Sequence, residues 1–166
     1  MDIQIGRGKT ARRAYGIDEI ALAPGQRTLD PKLADTRWTI GGIEREIPII
    51  ASAMDGVVDV KMAVLLSELG ALGVLNLEGV QTRYENPNPI LDEIAAVGKD
   101  EFVTLMQRLY SEPIKPELIE KRVKEIKQQG GIAAVSATPA GAMRFGQVVA
   151  KAGADLFFVQ ATVVST

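Results

Sequence analysis

Ile47-Pro48-Ile49-Ile50-Ala51-Ser52 is a continuous apolar run that opens into a polar turn, Ala53-Met54-Asp55-Gly56. Such a run suits a strand buried on both faces, not the alternating pattern of a half-solvated one. Downstream, Asp59 to Leu69 has helical spacing, with Val60, Ala63 and Val64 on one stripe and Gly70 placed to end it. Leu72-Gly73-Val74-Leu75 is the next strand. Asn86-Pro87-Asn88-Pro89 forms a loop, because each proline drives its predecessor out of the helical region. Helices follow over 90–97, 100–110 and 116–129, the last one opened by Pro116 and laced by the acid-before-base pairs Glu117/Lys121 and Glu120/Lys124. Ile132-Ala133-Ala134-Val135 is a third buried strand. Thr138-Pro139 opens a helix that Gly153 closes, and Leu156-Phe157-Phe158-Val159 is a fourth strand.

Buried strands alternating with helices define an α/β class with a parallel sheet. Two architectures compete at this level: an open doubly wound sheet and a (β/α)8 barrel, which takes ~250 residues. With 166 residues and four strands, either the sheet is open or the sequence is part of something longer. The first 30 residues read as an irregular arm with a basic cluster, Arg7, Lys9, Arg12 and Arg13. Gly8-Lys9-Thr10 mimics the end of a phosphate loop, but its first glycine would fall on Ile3. Gly6 to Ala11 mimics a dinucleotide fingerprint with too little chain before it for the required strand.

Composition narrows the chemistry. There is no cysteine and no histidine, which excludes disulfides, thiolate or imidazole metal ligands, and thiol or Ser-His-Asp catalysis within this stretch. With 19 basic and 21 acidic residues, nothing draws the chain toward nucleic acid. The start is too polar for a secretory signal, and no apolar run approaches the ~20 residues of a membrane span. A soluble cytoplasmic protein is the expectation.

In either architecture, ligands sit at the carboxyl ends of the strands. That rule selects Ser52 to Gly56, Asn76-Leu77-Glu78-Gly79, Ser136-Ala137-Thr138 and Gln160-Ala161-Thr162. Hydroxyls and amides dominate, and Asp55 and Glu78 are the only ionisable members. The set suits hydrogen bonding to a neutral ring, a sugar or a phosphate. Each residue also has a plain structural use: Ser52 as a turn cap, Met54 as core filler, Asp55 as a turn residue or helix cap.

Ile47 to Asp55, continued by Val60-Lys61-Met62-Ala63 and Gly70-Ala71-Leu72-Gly73-Val74, resembles the first barrel strand and loop of the IMP dehydrogenase/GMP reductase family. Tyr15 to Pro24 resembles its N-terminal segment, and Ile5 to Arg13 resembles the branch of IMP dehydrogenase-related proteins. The resemblance implies a (β/α)8 barrel of which this chain supplies the first four strands, with 1–46 as arm and lead-in and 47–166 as the first half of the barrel. It implies NAD-dependent oxidation of IMP to XMP, a homotetramer or larger assembly, and a monovalent cation (K+) held by residues beyond this segment. By the same resemblance, Ser52 lies near the nucleotide's phosphate and ribose, and Met54 packs on the purine. Gln160, Ala161 and Thr162 lie along the nicotinamide ribose of the cofactor.

The departures matter. Gln160 stands where the family has an acid, and Asn76 and Glu78 stand where the dehydrogenases carry His and Asn. About 50 residues separate the second and third strands, too few for a pair of regulatory CBS domains. No residue here matches the family's catalytic cysteine or general base, which are expected beyond Thr166. The alternatives that follow are a GMP reductase, which deaminates GMP to IMP with NADPH, and a non-catalytic purine-nucleotide-binding barrel.

Overall fold

Pro48 has no N–H to give a ladder, so the first strand of the main sheet is short and begins only at Ile50. The structure, a computed structural model, describes residues 2–23, 25 and 30–161, apart from the side chains of Asp2 and Ile17. The chain divides into two units, Met1–Asp35 and Thr36–Thr166.

In the first unit the expected irregular arm is instead a hairpin. Strands β1 (Asp2–Gly6) and β2 (Lys9–Arg12) pair antiparallel, with Ile3 opposite Ala11 and Gly6 opposite Lys9. Ile3 and Ile5 alternate with polar residues, which is strand spacing. Gly8 turns the chain at φ +69°, a conformation open to glycine. Both glycine-rich motif readings need a helix where β2 stands. Arg13 pairs with Glu19 at 2.5 Å and lies over the Tyr15 ring, 5.0 Å from its centroid.

The second unit starts with a hairpin absent from the sequence reading. Strands β3 (Trp38–Ile40) and β4 (Ile43–Arg45) join through Gly41-Gly42, both at positive φ, the signature of a two-residue turn matched to strand twist. The main sheet follows: β5 (Ile50–Ala51), β6 (Leu72–Asn76), β7 (Ala134–Ala137) and β8 (Leu156–Val159), all parallel and side by side in chain order. Ile50 aligns with Leu72, Asn76 with Ser136, and Ala134 with Leu156. A doubly wound sheet reverses order at a switch point; these four strands do not reverse. The third strand begins two residues later than its apolar run suggests, since Ile132 and Ala134 close a tight turn first.

Helices α1 (Val60–Glu68), α4 (Pro116–Gln128) and α5 (Pro139–Ala152) cover one face. Alternate strand residues Leu75, Val135 and Ala137 pack there with Ile119, Val123 and Phe145. The other residues of the same strands, Leu72, Val74 and Ala134, form a second cluster with Trp38, Ile40 and Phe158. Burial on both faces accounts for the unbroken apolar runs of β6 and β7. The first run departs from the expected doubly buried strand, because β5 is an outer strand of the sheet and the run's Ile47, Ile49 and Ile50 are exposed. Asp59 caps α1 by accepting from the Met62 N–H at 2.7 Å, and Thr138 caps α5 through the Gly141 N–H at 3.2 Å.

Between β6 and α4 lies an insert of two helices, α2 (Asn88–Ala96) and α3 (Phe102–Ser111). Helix α2 starts at Asn88, earlier than expected, because Pro89 falls in its first turn, where the missing N–H has no intrahelical acceptor anyway. The Glu120–Lys124 pair forms at 2.5 Å. Lys121, expected to pair with Glu117, turns instead to Glu85 and to Glu125.

Candidate functional site

The carboxyl end of β5 runs straight into the polar turn. Burial alternates there: Ala51, Ala53 and Asp55 are half-buried, whereas Ser52 and Met54 are exposed. The Met54 N–H donates to the Ser52 carbonyl at 2.8 Å, so the strand closes into a tight turn at once. At the end of β8, Gln160 and Ala161 are exposed, and the Gln160 N–H donates to the Ala137 carbonyl at 2.9 Å. Thr162 lies outside the described residues.

Met54 lines a cavity of about 820 Å³, within the roughly 300–1,000 Å³ of small-molecule sites. One wall is the 53–62 stretch, with Met54, Asp55 and Met62; Asn76 adds the end of β6. The opposite wall is the insert, through Leu91, Asp92 and Ile94 of α2 and Met106 and Tyr110 of α3. Ser52, Gln160 and Ala161 do not line this space. Of the described residues that the family resemblance assigns to nucleotide or cofactor, it holds Met54 alone; of the other strand-end candidates it holds Ala53, Asp55, Gly56 and Asn76.

Asp55 is neither a helix cap nor a simple turn residue. Its Oδ2 accepts from the Val80 N–H at 3.0 Å and from the Tyr110 hydroxyl. Its Oδ1 is buried without a hydrogen-bond partner among the described residues. That oxygen rests against Gly79, where a Cβ would fall 1.8 Å away. Burial, and then the Asp55 carboxyl beside it, push the Tyr110 phenol well above the ordinary tyrosine range. Tyr110 therefore stays protonated and donates.

Two further side chains fix the insert, and a third fixes the segment that leads into it. The Arg83 guanidinium donates to the carbonyls of Glu78, Tyr110 and Glu112, and it lies over the Tyr110 ring. The Tyr84 hydroxyl donates to the Leu109 carbonyl at 2.9 Å. Buried Arg122 on α4 donates to the carbonyls of Gln81, Tyr84 and Glu85. A buried guanidinium so bonded is a rigid strut. Sequence reading missed Tyr110 and Arg83; the available signal was the second stripe of α3, Met106 and Tyr110 four apart beside the buried Leu105 and Leu109.

Glu78 has its own task. Its carboxylate accepts from the Thr138 N–H at 2.7 Å and from the Thr138 hydroxyl at 3.0 Å. It sits where the N-terminus of α5 attracts negative charge. Asn76 holds it from behind, accepting from the Glu78 N–H at 3.0 Å. Next to Asn76 in register, the Ser136 hydroxyl is buried with no hydrogen-bond partner among the described residues.

The fold and site together define an α/β protein with a ligand-sized cavity at the carboxyl ends of a parallel sheet. Residues 14–164 match the model of the IMP dehydrogenase / GMP reductase domain, and the chain belongs to that oxidoreductase family. It is 35% identical over 98% of its length to an uncharacterized oxidoreductase of Mycobacterium tuberculosis, covering 45% of that protein. It is 30% identical over 56% of its length to the inosine-5'-monophosphate dehydrogenase of Methanocaldococcus jannaschii, covering 20% of that enzyme. Its fold is similar, with a TM-score of 0.82 and 28% identity, to the crystal structure of an IMP dehydrogenase/GMP reductase-like protein from Corynebacterium glutamicum, over 99% of this chain and 45% of that one. The chain thus spans under half the length of these relatives.

Proposed function

We propose that the intact protein is a (β/α)8-barrel oxidoreductase that uses NAD to oxidise IMP to XMP, with these residues as the first four strands. The observation that carries the reading is the sheet in simple chain order, with Ser52-Ala53-Met54 at its first carboxyl end and Met54 on a ligand-sized cavity. Single winding without reversal is the order of a barrel. Ser52 supplies a hydroxyl toward the nucleotide's phosphate and ribose. Met54 supplies a polarizable thioether for the flat face of the purine, a contact worth ~0.3–1.5 kcal/mol.

For the cofactor, Gln160 and Ala161 at the end of β8 are exposed and uncharged, and Gln160 brings a carboxamide. A carboxamide both donates and accepts, which fits a ribose hydroxyl, although it lacks the grip of the carboxylate found in the family. Bound NAD would supply a hydride acceptor. The nucleophile and base come from chain beyond these residues. Assembly as a homotetramer or larger belongs to the same proposal.

One feature favours a second reading in the same class. Gln160 in place of an acid, with Glu78 turned to the α5 N-terminus, changes two strand ends relative to the dehydrogenases and suits a GMP reductase. Assays of the full-length protein with IMP plus NAD, and with GMP plus NADPH, separate the two. Turnover of IMP alone supports the dehydrogenase, and turnover of GMP alone the reductase. Binding of either nucleotide without turnover identifies a non-catalytic barrel.

A further inference from the structure

The cavity is asymmetric in its chemistry. Its acidic lining residues are Asp55, Asp59 and Asp92, and among the described residues no Lys or Arg lines it. The rest of its surface is mostly apolar: Met54 and Met62 on one wall, Leu91, Ile94 and Met106 on the other. A phosphate dianion placed here would meet carboxyl groups and no cation, an arrangement that raises its energy. The N-terminus of α5, the nearby backbone site best suited to an anion, already holds the Glu78 carboxylate. A flat ring between these three thioethers and the branched aliphatics faces neither penalty. The insert wall is also held firmly: Tyr110 is bonded to Asp55 on the opposite wall, Arg83 and Tyr84 hold the end of α3, and Arg108 pairs with Glu93 to tie α3 to α2.

We propose that the α2–α3 insert is the specificity wall for the ring end of the ligand, admitting a planar, uncharged or cationic heterocycle against Met54 and turning the phosphate end away. This rests on the purine-nucleotide reading above, and it assigns a role to an insert of two helices. Ala95 lines the cavity from α2 and is exposed, so a larger side chain there fills the space without entering the core. Ala96, the next residue, is exposed and lines no part of it.

Calorimetric titration of the full-length protein with IMP, inosine and ribose 5-phosphate tests the proposal. In Ala95→Trp, IMP and inosine should weaken about tenfold or more, as pocket-filling changes do, while ribose 5-phosphate stays within about twofold; Ala96→Trp should bind all three like the parent. Equal loss of ribose 5-phosphate and IMP in Ala95→Trp would put the phosphate under the insert and overturn the proposal. Unchanged IMP and inosine in Ala95→Trp would overturn it too, while leaving the purine reading standing. A parent protein that binds neither IMP nor inosine would overturn the purine reading itself, and the proposal with it.

Discussion

Gly79 carries no side chain because Asp55 occupies the space. A Cβ there would lie 1.8 Å from Asp55 Oδ1 and 2.3 Å from its Cγ. Asp55 has little room to retreat, since its other oxygen is held by the Val80 N–H and the Tyr110 hydroxyl. Gly79→Ala is therefore expected to lower stability by about 1–3 kcal/mol, the range for forced overpacking. Gly98→Ala is the control: nothing lies within 4 Å of its Cβ, and the change should stay within about 0.5 kcal/mol. Urea midpoints of the two variants check this pair. The sequence made Asp55 legible as a strand-end residue but not as a partner of Tyr110. The two stand 55 positions apart, and nothing in local spacing joins a turn carboxylate to a distant helix. Ser52 and Met54 were legible as strand-end residues for the opposite reason: a strand end announces itself through the apolar run before it.

The insert is the element whose placement depends most on single polar contacts. Helix α2 buries no residue, and α3 buries only Leu105 and Leu109. The Tyr110–Asp55 bond thus holds one wall of the cavity to the other. Because the folded state raises the phenol's pKa, it binds that proton more tightly than the unfolded chain does. The resulting stability is complete below the ordinary tyrosine range, near pH 10, and is lost as pH rises beyond it. Tyr110→Phe should accordingly be less stable than the parent at pH 8, and the gap should narrow above about pH 10. Denaturant midpoints of both proteins between those conditions measure it; a gap independent of pH would detach Tyr110 from Asp55. A second element-scale consequence concerns α5. Thr138→Ala removes the cap to the Gly141 N–H and one of the two Glu78 contacts, at a cost of about 1 kcal/mol, again read from urea unfolding. The Thr138-Pro139 start of α5 and the Pro116 start of α4 were legible because caps and first-turn prolines are local signals. The β3–β4 hairpin was passed over, although Gly41-Gly42 is a strong turn pair, because its strands are three residues each and too short to display alternation.

At the scale of the molecule, the sheet sets a condition on the chain. Its outer strands are β5, with Ile50 and Ala51 paired on one side, and β8, whose ladder partner among the described residues is β7. Ile49, Ile50 and Val159 on these edges are exposed large apolar residues. Unpaired N–H and C=O groups beside exposed aliphatics form a template for further strands. The second apolar face adds to this, because half-buried Leu156 and Phe158 pack against a cluster of only three fully buried residues. Relatives have more than twice this length, of which the chain covers 45%. In a barrel both edges close and the inner face fills with side chains from the other strands. A polypeptide of these 166 residues produced alone should therefore self-associate, eluting from gel filtration well ahead of its mass. Charged substitutions on the edges, Ile50→Lys with Val159→Lys, should shift it back toward a monomer. Full-length protein should run as a discrete assembly under the same conditions. A 166-residue polypeptide that elutes as a monomer and melts cooperatively would mean that four strands and their helices close their own core, and the barrel would lose its main physical argument.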